Sequence, residues 1–134
     1  MQCQFALIFG LLASPAMAQD IEYFQSPSGN IFCAIMSGDY AEARCDMREL
    51  MQSFRDPPAD CDLEWGDSFA VGEQGPGALV CHGDTVMMPD APVLEYGQSL
   101  SLGAFTCTSE QSGVTCTNGQ DHGFTLSRAR QDVF

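Results

Sequence analysis

Apolar and polar residues alternate along several short runs of this chain, as they do in strands that bury one face. The runs lie at 31–36, 43–47, 68–71, 78–81, 99–108, 113–117 and 124–128. Groups of Gly, Pro, Asn, Asp and Ser separate them at short intervals, which is typical of turns. Short strands with regularly spaced turns predict an all-β domain, either a small antiparallel sandwich or a barrel-like sheet.

The stretch at residues 47–54 instead has the apolar spacing of a helix. Its apolar side chains recur at intervals of three and four residues (Met47, Leu50, Met51, Phe54). The Asp-Pro-Pro sequence at 56–58 would end such a helix after about two turns. We therefore expect at most one short helical segment, the alternative being that these side chains simply cap the core.

The first 18 residues have the layout of a secretory signal peptide. An apolar run at 5–13 is followed by Ser14-Pro15 and then by the small-residue cleavage sequence at 16–18. A membrane-spanning helix needs about 20 apolar residues, so this run is too short to be one. We predict cleavage after Ala18, a single mature domain at 19–134, and no stable membrane insertion once the peptide is removed.

Six cysteines lie in the predicted mature domain: Cys33, Cys45, Cys61, Cys81, Cys107 and Cys116. An even number in an exported chain predicts three disulfides, formed in an oxidising compartment such as the periplasm or the extracellular medium. A thiolate metal site is less favoured, because no two cysteines have the close spacing found in zinc fingers.

Hairpin geometry suggests how the cysteines pair. Cys107 and Cys116 flank a short turn that ends in Gly113, where a residue with positive φ is accommodated. Cys33 and Cys45 lie on two runs separated by a Ser-Gly-Asp turn. The remaining pair, Cys61 and Cys81, would then join an acidic, proline-rich loop to a strand.

The charge of the chain limits its partners. There are 18 acidic residues against five basic ones, which gives a formal net charge of −13. Such a chain cannot neutralise a run of phosphates, so nucleic acid and anionic membrane surfaces are disfavoured as partners. Self-repulsion favours a monomer, and a cationic protein or a divalent cation remains open as a partner.

The chain contains two histidines, His82 and His122, which are candidate catalytic bases. A serine hydrolase would combine Ser127 and His122 with the carboxylate of Asp121 or Asp84. However, the chain has no G-x-S-x-G sequence, and adjacent residues of an extended segment point to opposite faces. The alternative is a polar turn whose histidine bonds to nearby backbone.

The acidic loop at 56–67 offers oxygen ligands of the kind that calcium prefers, with Asp60, Asp62 and Glu64 as the candidates. It is not an EF-hand loop: counted from Asp60, Trp65 stands where Gly is required and Val71 where the bidentate Glu belongs. The alternative is a solvated acidic loop held by Cys61.

Exposed aromatic rings would favour a binding surface. The candidates are the single Trp65 and three tyrosines, Tyr23, Tyr40 and Tyr96, each of which could equally be half-buried against the core. No cofactor signature is present, and we expect no cofactor.

Seven short motifs in a fixed order, with the cysteines in register, carry a family resemblance. They are FQSPSGNIFC (24–33), ARCDM (43–47), PPADCDLEWG (57–66), CHGDTV (81–86), LEYGQSLSLGAFTC (94–107), SGVTCTN (112–118) and HGFTLSR (122–128). The chain thereby resembles a family of small exported bacterial proteins catalogued as a domain of unknown function. The resemblance implies an exported domain with disulfides, and it supplies no activity; the family usually has Gly at the position of Asp121.

The resemblance also suggests structural roles for three sites. Asp84 looks like a turn carboxylate that accepts local backbone N–H bonds. Asn118-Gly119 looks like a tight turn that tolerates positive φ. Arg128 is a candidate binding residue, or it could pair with Asp84 or Asp46 across the sheet.

Together these observations favour a non-catalytic binding module for a basic envelope or extracellular protein. Two alternatives stay open. One is a small hydrolase that uses His122 or His82, and the other is a divalent-cation-binding domain that uses residues 60–64.

Overall fold

The computed structural model describes residues 10–11 and 19–134, and within them the chain forms ten strands and no helix. The strands are β1 (Ile21–Gln25), β2 (Ile31–Met36), β3 (Glu42–Met47), β4 (Ser68–Gly72), β5 (Ala78–Leu79), β6 (Ser99–Leu102), β7 (Phe105–Glu110), β8 (Gly113–Thr117), β9 (Gly123–Leu126) and β10 (Gln131–Val133). Apart from Gly10 and Leu11, the predicted signal peptide lies outside the described residues. Within that part no helix is long and apolar enough to cross a membrane.

The strands form two antiparallel sheets of five, in the orders β1-β2-β3-β4-β5 and β10-β9-β8-β7-β6. Each sheet is therefore a meander, in which every strand pairs with its neighbour in sequence. Buried side chains from both sheets form one shared core. The predicted all-β antiparallel class is confirmed, and the arrangement is a sandwich.

The centre of the core contains two disulfides that pack against each other. Cys33–Cys45 joins directly paired residues of β2 and β3, and Cys107–Cys116 does the same for β7 and β8. The Sγ atoms of Cys45 and Cys116, one from each sheet, are 3.8 Å apart. The third disulfide, Cys61–Cys81, joins two loops, so all three predicted pairs are confirmed.

The segment 47–54 is not helical. Met47 is the last residue of β3, and the chain then continues without regular structure. Its backbone N–H groups find partners in the second sheet: the N–H of Met51 donates to the Arg128 carbonyl at 2.7 Å and that of Ser53 to Gln131 Oε1 at 2.9 Å. Met47 belongs to the core and Leu50 and Phe54 pack against it, whereas Met51 is exposed. The alternative interpretation, apolar residues that cap the core, is therefore correct for three of the four side chains.

Three strand predictions differ from the structure. The run 99–108 forms two strands, because Gly103 takes a left-handed turn with φ of 57° between β6 and β7. The edge strands β1 and β10 were not predicted from the alternation. β10 has only three residues, which is too short for a period of two residues to be recognised.

Candidate functional site

Loops at one end of the sandwich surround an open cleft of about 470 Å³. The β1–β2 turn, the residues after β3 and β9, the β7–β8 hairpin and Tyr96 form its lining. Ile31 and Val114, which are buried residues of the two sheets, are also among its lining residues. The cleft thus lies between the two sheets at one end of the sandwich. Its size fits a small molecule or one or two side chains of a partner.

One wall of the cleft, which we call the arginine wall, consists of Asn30, Arg48, Glu49 and Arg128. Asn30 fixes the chain after β3, because its side chain accepts from the Glu49 N–H at 2.8 Å and donates to the Glu49 carbonyl at 2.9 Å. The Arg48 guanidinium lies 4.7 Å from the centre of the Phe32 ring. Arg128 pairs with Glu49 at 3.3 Å, and both side chains are exposed.

Another part of the lining, which we call the Tyr96–Glu110 wall after these two residues, is held by backbone hydrogen bonds. The Gly97 N–H donates to the Ser109 carbonyl at 2.7 Å, and the Ser109 N–H donates to the Gln98 carbonyl at 2.9 Å. This antiparallel pairing brings Tyr96 next to Glu110. The Tyr96 ring is about half exposed, at 47 %. The Glu110 carboxylate accepts from the Ser112 hydroxyl at 3.3 Å and forms no ion pair with any described residue.

The candidate residues of the hydrolase hypothesis are spread over the molecule. Ser127 lines the cleft, where its hydroxyl donates to the Arg130 carbonyl at 3.0 Å. His122 stands at the other end of β9, about 17 Å away along an extended strand. Asp84 lies beside Arg44, on the outer face of the first sheet. The structure therefore brings none of these three side chains into contact with another.

The turn that holds Asp121 and His122 is organised by the buried side chain of Asn118. The Asn118 Oδ1 atom accepts from the N–H groups of Gln120 at 2.8 Å and His122 at 3.1 Å. Its Nδ2 donates to the carbonyls of Gly72 and Gly75, both at 3.0 Å, and so joins the two sheets. The predicted turn is present, but the residue with positive φ is Asp121, at 60°, rather than Gly119.

His82 occupies a second polar cluster, away from the cleft. Its Nδ1 atom lies 2.7 Å from the Asp84 carbonyl and its Nε2 atom 2.8 Å from the Asp67 carboxylate. Because both neighbours are acceptors, both ring nitrogens donate when the ring is protonated. Burial lowers the His82 pKa, but the bonds to Asp67 and to the Asp84 carbonyl outweigh burial and raise the pKa above 6.5.

The acidic loop lies next to this histidine. Glu64 and His82 form a two-residue antiparallel bridge with reciprocal N–H to carbonyl bonds of 3.0 Å. Asp60 takes a positive φ of 56° in an exposed turn. Among the described residues, the only three potential metal ligands found within 4.8 Å of one another are Cys33, Cys45 and Cys116, which are already in disulfides. Asp60, Asp62 and Glu64 do not form such a group, and Trp65 is half-buried and does not line the cleft.

Arg44 on β3 is the central residue of the second cluster, although it was not among the residues predicted from the sequence. Its Nη1 donates to Asp84 at 2.9 Å and its Nε to Asp46 at 3.0 Å and to Ser68 at 2.9 Å. Asp46 also accepts from Thr85 and from the Val86 N–H, which fixes the loop after β5 to the sheet. Burial lowers the Arg44 pKa, but the bonds to Asp46 and Asp84 outweigh it and raise the pKa overall. The same contact with Arg44 lowers the Asp84 pKa.

One role suggested by the resemblance is wrong and another is incomplete. Arg128 pairs with Glu49 rather than with Asp84 or Asp46, whereas the Asp84 carboxylate bonds to its own backbone N–H and also to Arg44. The signal was present in the β3 sequence. Ala43, Cys45 and Met47 point into the core, so Arg44 and Asp46 must share the outer face.

Comparisons with known proteins identify the family but no individual relative. No curated protein and no solved structure matches the chain. A family model does match, over residues 5–134, which is nearly the whole sequence. The chain belongs to this family, which is described as a family of unknown function (DUF6636).

Proposed function

We propose that this protein is an exported, non-catalytic binding module whose partner is a basic protein of the cell envelope or the extracellular medium. The observation that carries the proposal is the excess of negative charge on the protein. Of the 18 acidic residues, all of them in the described part, five take part in ion pairs there. Four of the five arginines are engaged with groups of the protein itself. Such a surface attracts and orients a cationic partner.

Two further observations support the proposal. Three disulfides are typical of proteins that fold in an oxidising compartment, which agrees with the predicted signal peptide at 1–18. The cleft supplies a concave surface with an exposed aromatic ring, a feature common in protein interfaces.

Affinity capture with the immobilised mature protein tests the proposal. Envelope and secreted fractions are applied at about 50 mM salt and eluted by a salt gradient, because the attraction between exposed charges is screened by salt. We expect one basic protein, identified by mass spectrometry, to be retained and to elute as salt rises. The control is an acidic disulfide protein of similar size and charge. Retention of the same proteins on both columns, or of nothing, would contradict the proposal.

A further inference from the structure

The charged side chains of the two walls differ in their interaction partners. On the arginine wall, Arg128 is paired with Glu49 and Arg48 stacks on Phe32. On the Tyr96–Glu110 wall, the single carboxylate has a hydroxyl donor, Ser112, but no cation among the described residues. On this wall the charge left to be matched is therefore negative, and it lies beside an exposed aromatic ring; Arg48 on the arginine wall likewise has no carboxylate partner among the described residues.

We infer that the Tyr96–Glu110 wall binds a lysine or arginine side chain of the basic partner, an inference that rests on the function proposed above. The Glu110 carboxylate accepts hydrogen bonds from the cationic head. The face of the Tyr96 ring attracts the same cation through its π electrons. The exposed Tyr96 ring also offers apolar surface along which the aliphatic part of such a side chain packs.

The wall is already in place before a ligand binds. Gly113 follows the two-residue loop of the β7–β8 hairpin with φ of 129°, and a Cβ atom there would collide with the Leu126 carbonyl. The hairpin that carries Glu110 is therefore fixed against β9, and the Gly97–Ser109 bond fixes the chain that carries Tyr96. A preformed site loses less conformational entropy when it binds.

Titration with defined peptides, followed by amide chemical shifts, tests the inference. The probe is a capped pentapeptide with Lys between two Gly on each side, and the matched peptides have norleucine or Glu instead of Lys. We expect the lysine peptide to shift the resonances of Tyr96, Glu110, Gly113 and Val114 with a saturable curve. We expect Glu110→Gln and Tyr96→Ala each to weaken its binding about fivefold or more.

The control variants are Glu73→Gln and Tyr40→Ala, which make the same changes at exposed positions at the other end of the sandwich and should leave binding unchanged. Equal binding of the norleucine peptide would overturn the inference, as would unchanged binding by Glu110→Gln. Preferential binding of the glutamate peptide would assign the site to the arginine wall instead.

The two proposals fail separately. If affinity capture identifies a basic partner that Glu110→Gln retains as well as the unmodified protein, the inference fails and the proposed function stands. If no basic partner is captured, the proposed function fails, whereas the peptide titration still decides what the cleft binds.

Discussion

At the scale of single residues, buried polar groups show how differently the same residue type is used. Ser68 and Ser109 are both fully buried. The Ser68 hydroxyl donates to Asp46 at 2.6 Å and accepts from Arg44 at 2.9 Å. The Ser109 hydroxyl has no hydrogen-bond partner among the described residues. The sequence could not distinguish these two serines, because the partners lie on other strands and loops.

This contrast predicts opposite effects of two matched substitutions. Ser109→Ala removes an unsatisfied buried hydroxyl, so we expect it to raise the free energy of unfolding by about 1 kcal/mol. Ser68→Ala leaves Asp46 and Arg44 short of a partner and should lower it by about 1–3 kcal/mol. Urea unfolding of both variants checks the pair. Equal effects would show that the Ser109 hydroxyl has a partner after all.

The backbone of Asp121 leads to a second prediction at this scale. A left-handed conformation with φ of 60° is unfavourable for Asp and is readily adopted by Gly. We expect Asp121→Gly to stabilise the protein by about 0.5–1 kcal/mol, and Gln120→Gly, at a position without positive φ, to be destabilising. Thermal unfolding measures both, and a destabilised Asp121→Gly would mean that the side chain of Asp121 contributes more than its backbone strain.

At the scale of elements, the loops are less predictable than the strands. The apolar runs and the turns between them identified most strands of both sheets, and the hairpins identified two disulfides. The arginine at the centre of the outer cluster was missed because its partners Ser68 and Asp84 come from a distant strand and loop. The segment 47–54 has helical spacing but forms no helix, because its backbone groups bond to Arg128 and Gln131. These partners lie about 80 residues further along the chain, so the local spacing does not reveal them.

The contact between His82 and the loops at 61–67 and 81–85 predicts a pH dependence. The folded-state pKa of His82 is raised, so its protonated form stabilises the folded protein. This contribution is complete below the unfolded-state pKa of about 6.5 and is lost as pH rises through the folded-state pKa.

Comparison of unfolding free energies between pH 5 and pH 9 tests this dependence. The stability difference between the unmodified protein and His82→Asn should be larger at pH 5 and shrink with increasing pH. His122→Asn makes the same change at a histidine whose ring has no hydrogen-bond partner among the described residues, and it serves as the matched comparison. A pH-independent difference for His82→Asn would contradict a raised pKa.

At the scale of the whole molecule, the three disulfides differ in access. The four core cysteines are at most 1 % exposed, whereas Cys61 and Cys81 lie in surface loops. Thiol–disulfide exchange requires contact between the attacking thiolate and a sulfur atom. We therefore expect mild reduction of the folded protein to open Cys61–Cys81 first and to leave a folded intermediate with both core disulfides intact. Alkylation and peptide mapping identify the opened bond; early labelling of Cys33 or Cys107 would contradict this order.

The order of the cysteines along the chain has a further consequence for folding. The six cysteines of the described residues pair in order, the first with the second, the third with the fourth and the fifth with the sixth, so the three closed loops neither overlap nor enclose one another. The first sheet and its two disulfides use residues before the second sheet begins at Ser99. In a chain that crosses a membrane from its N-terminus, each cysteine meets its native partner before any later cysteine emerges. Oxidation in order of emergence therefore produces the native pairing directly, and we expect a simple dithiol oxidase to suffice, with no need for a disulfide isomerase.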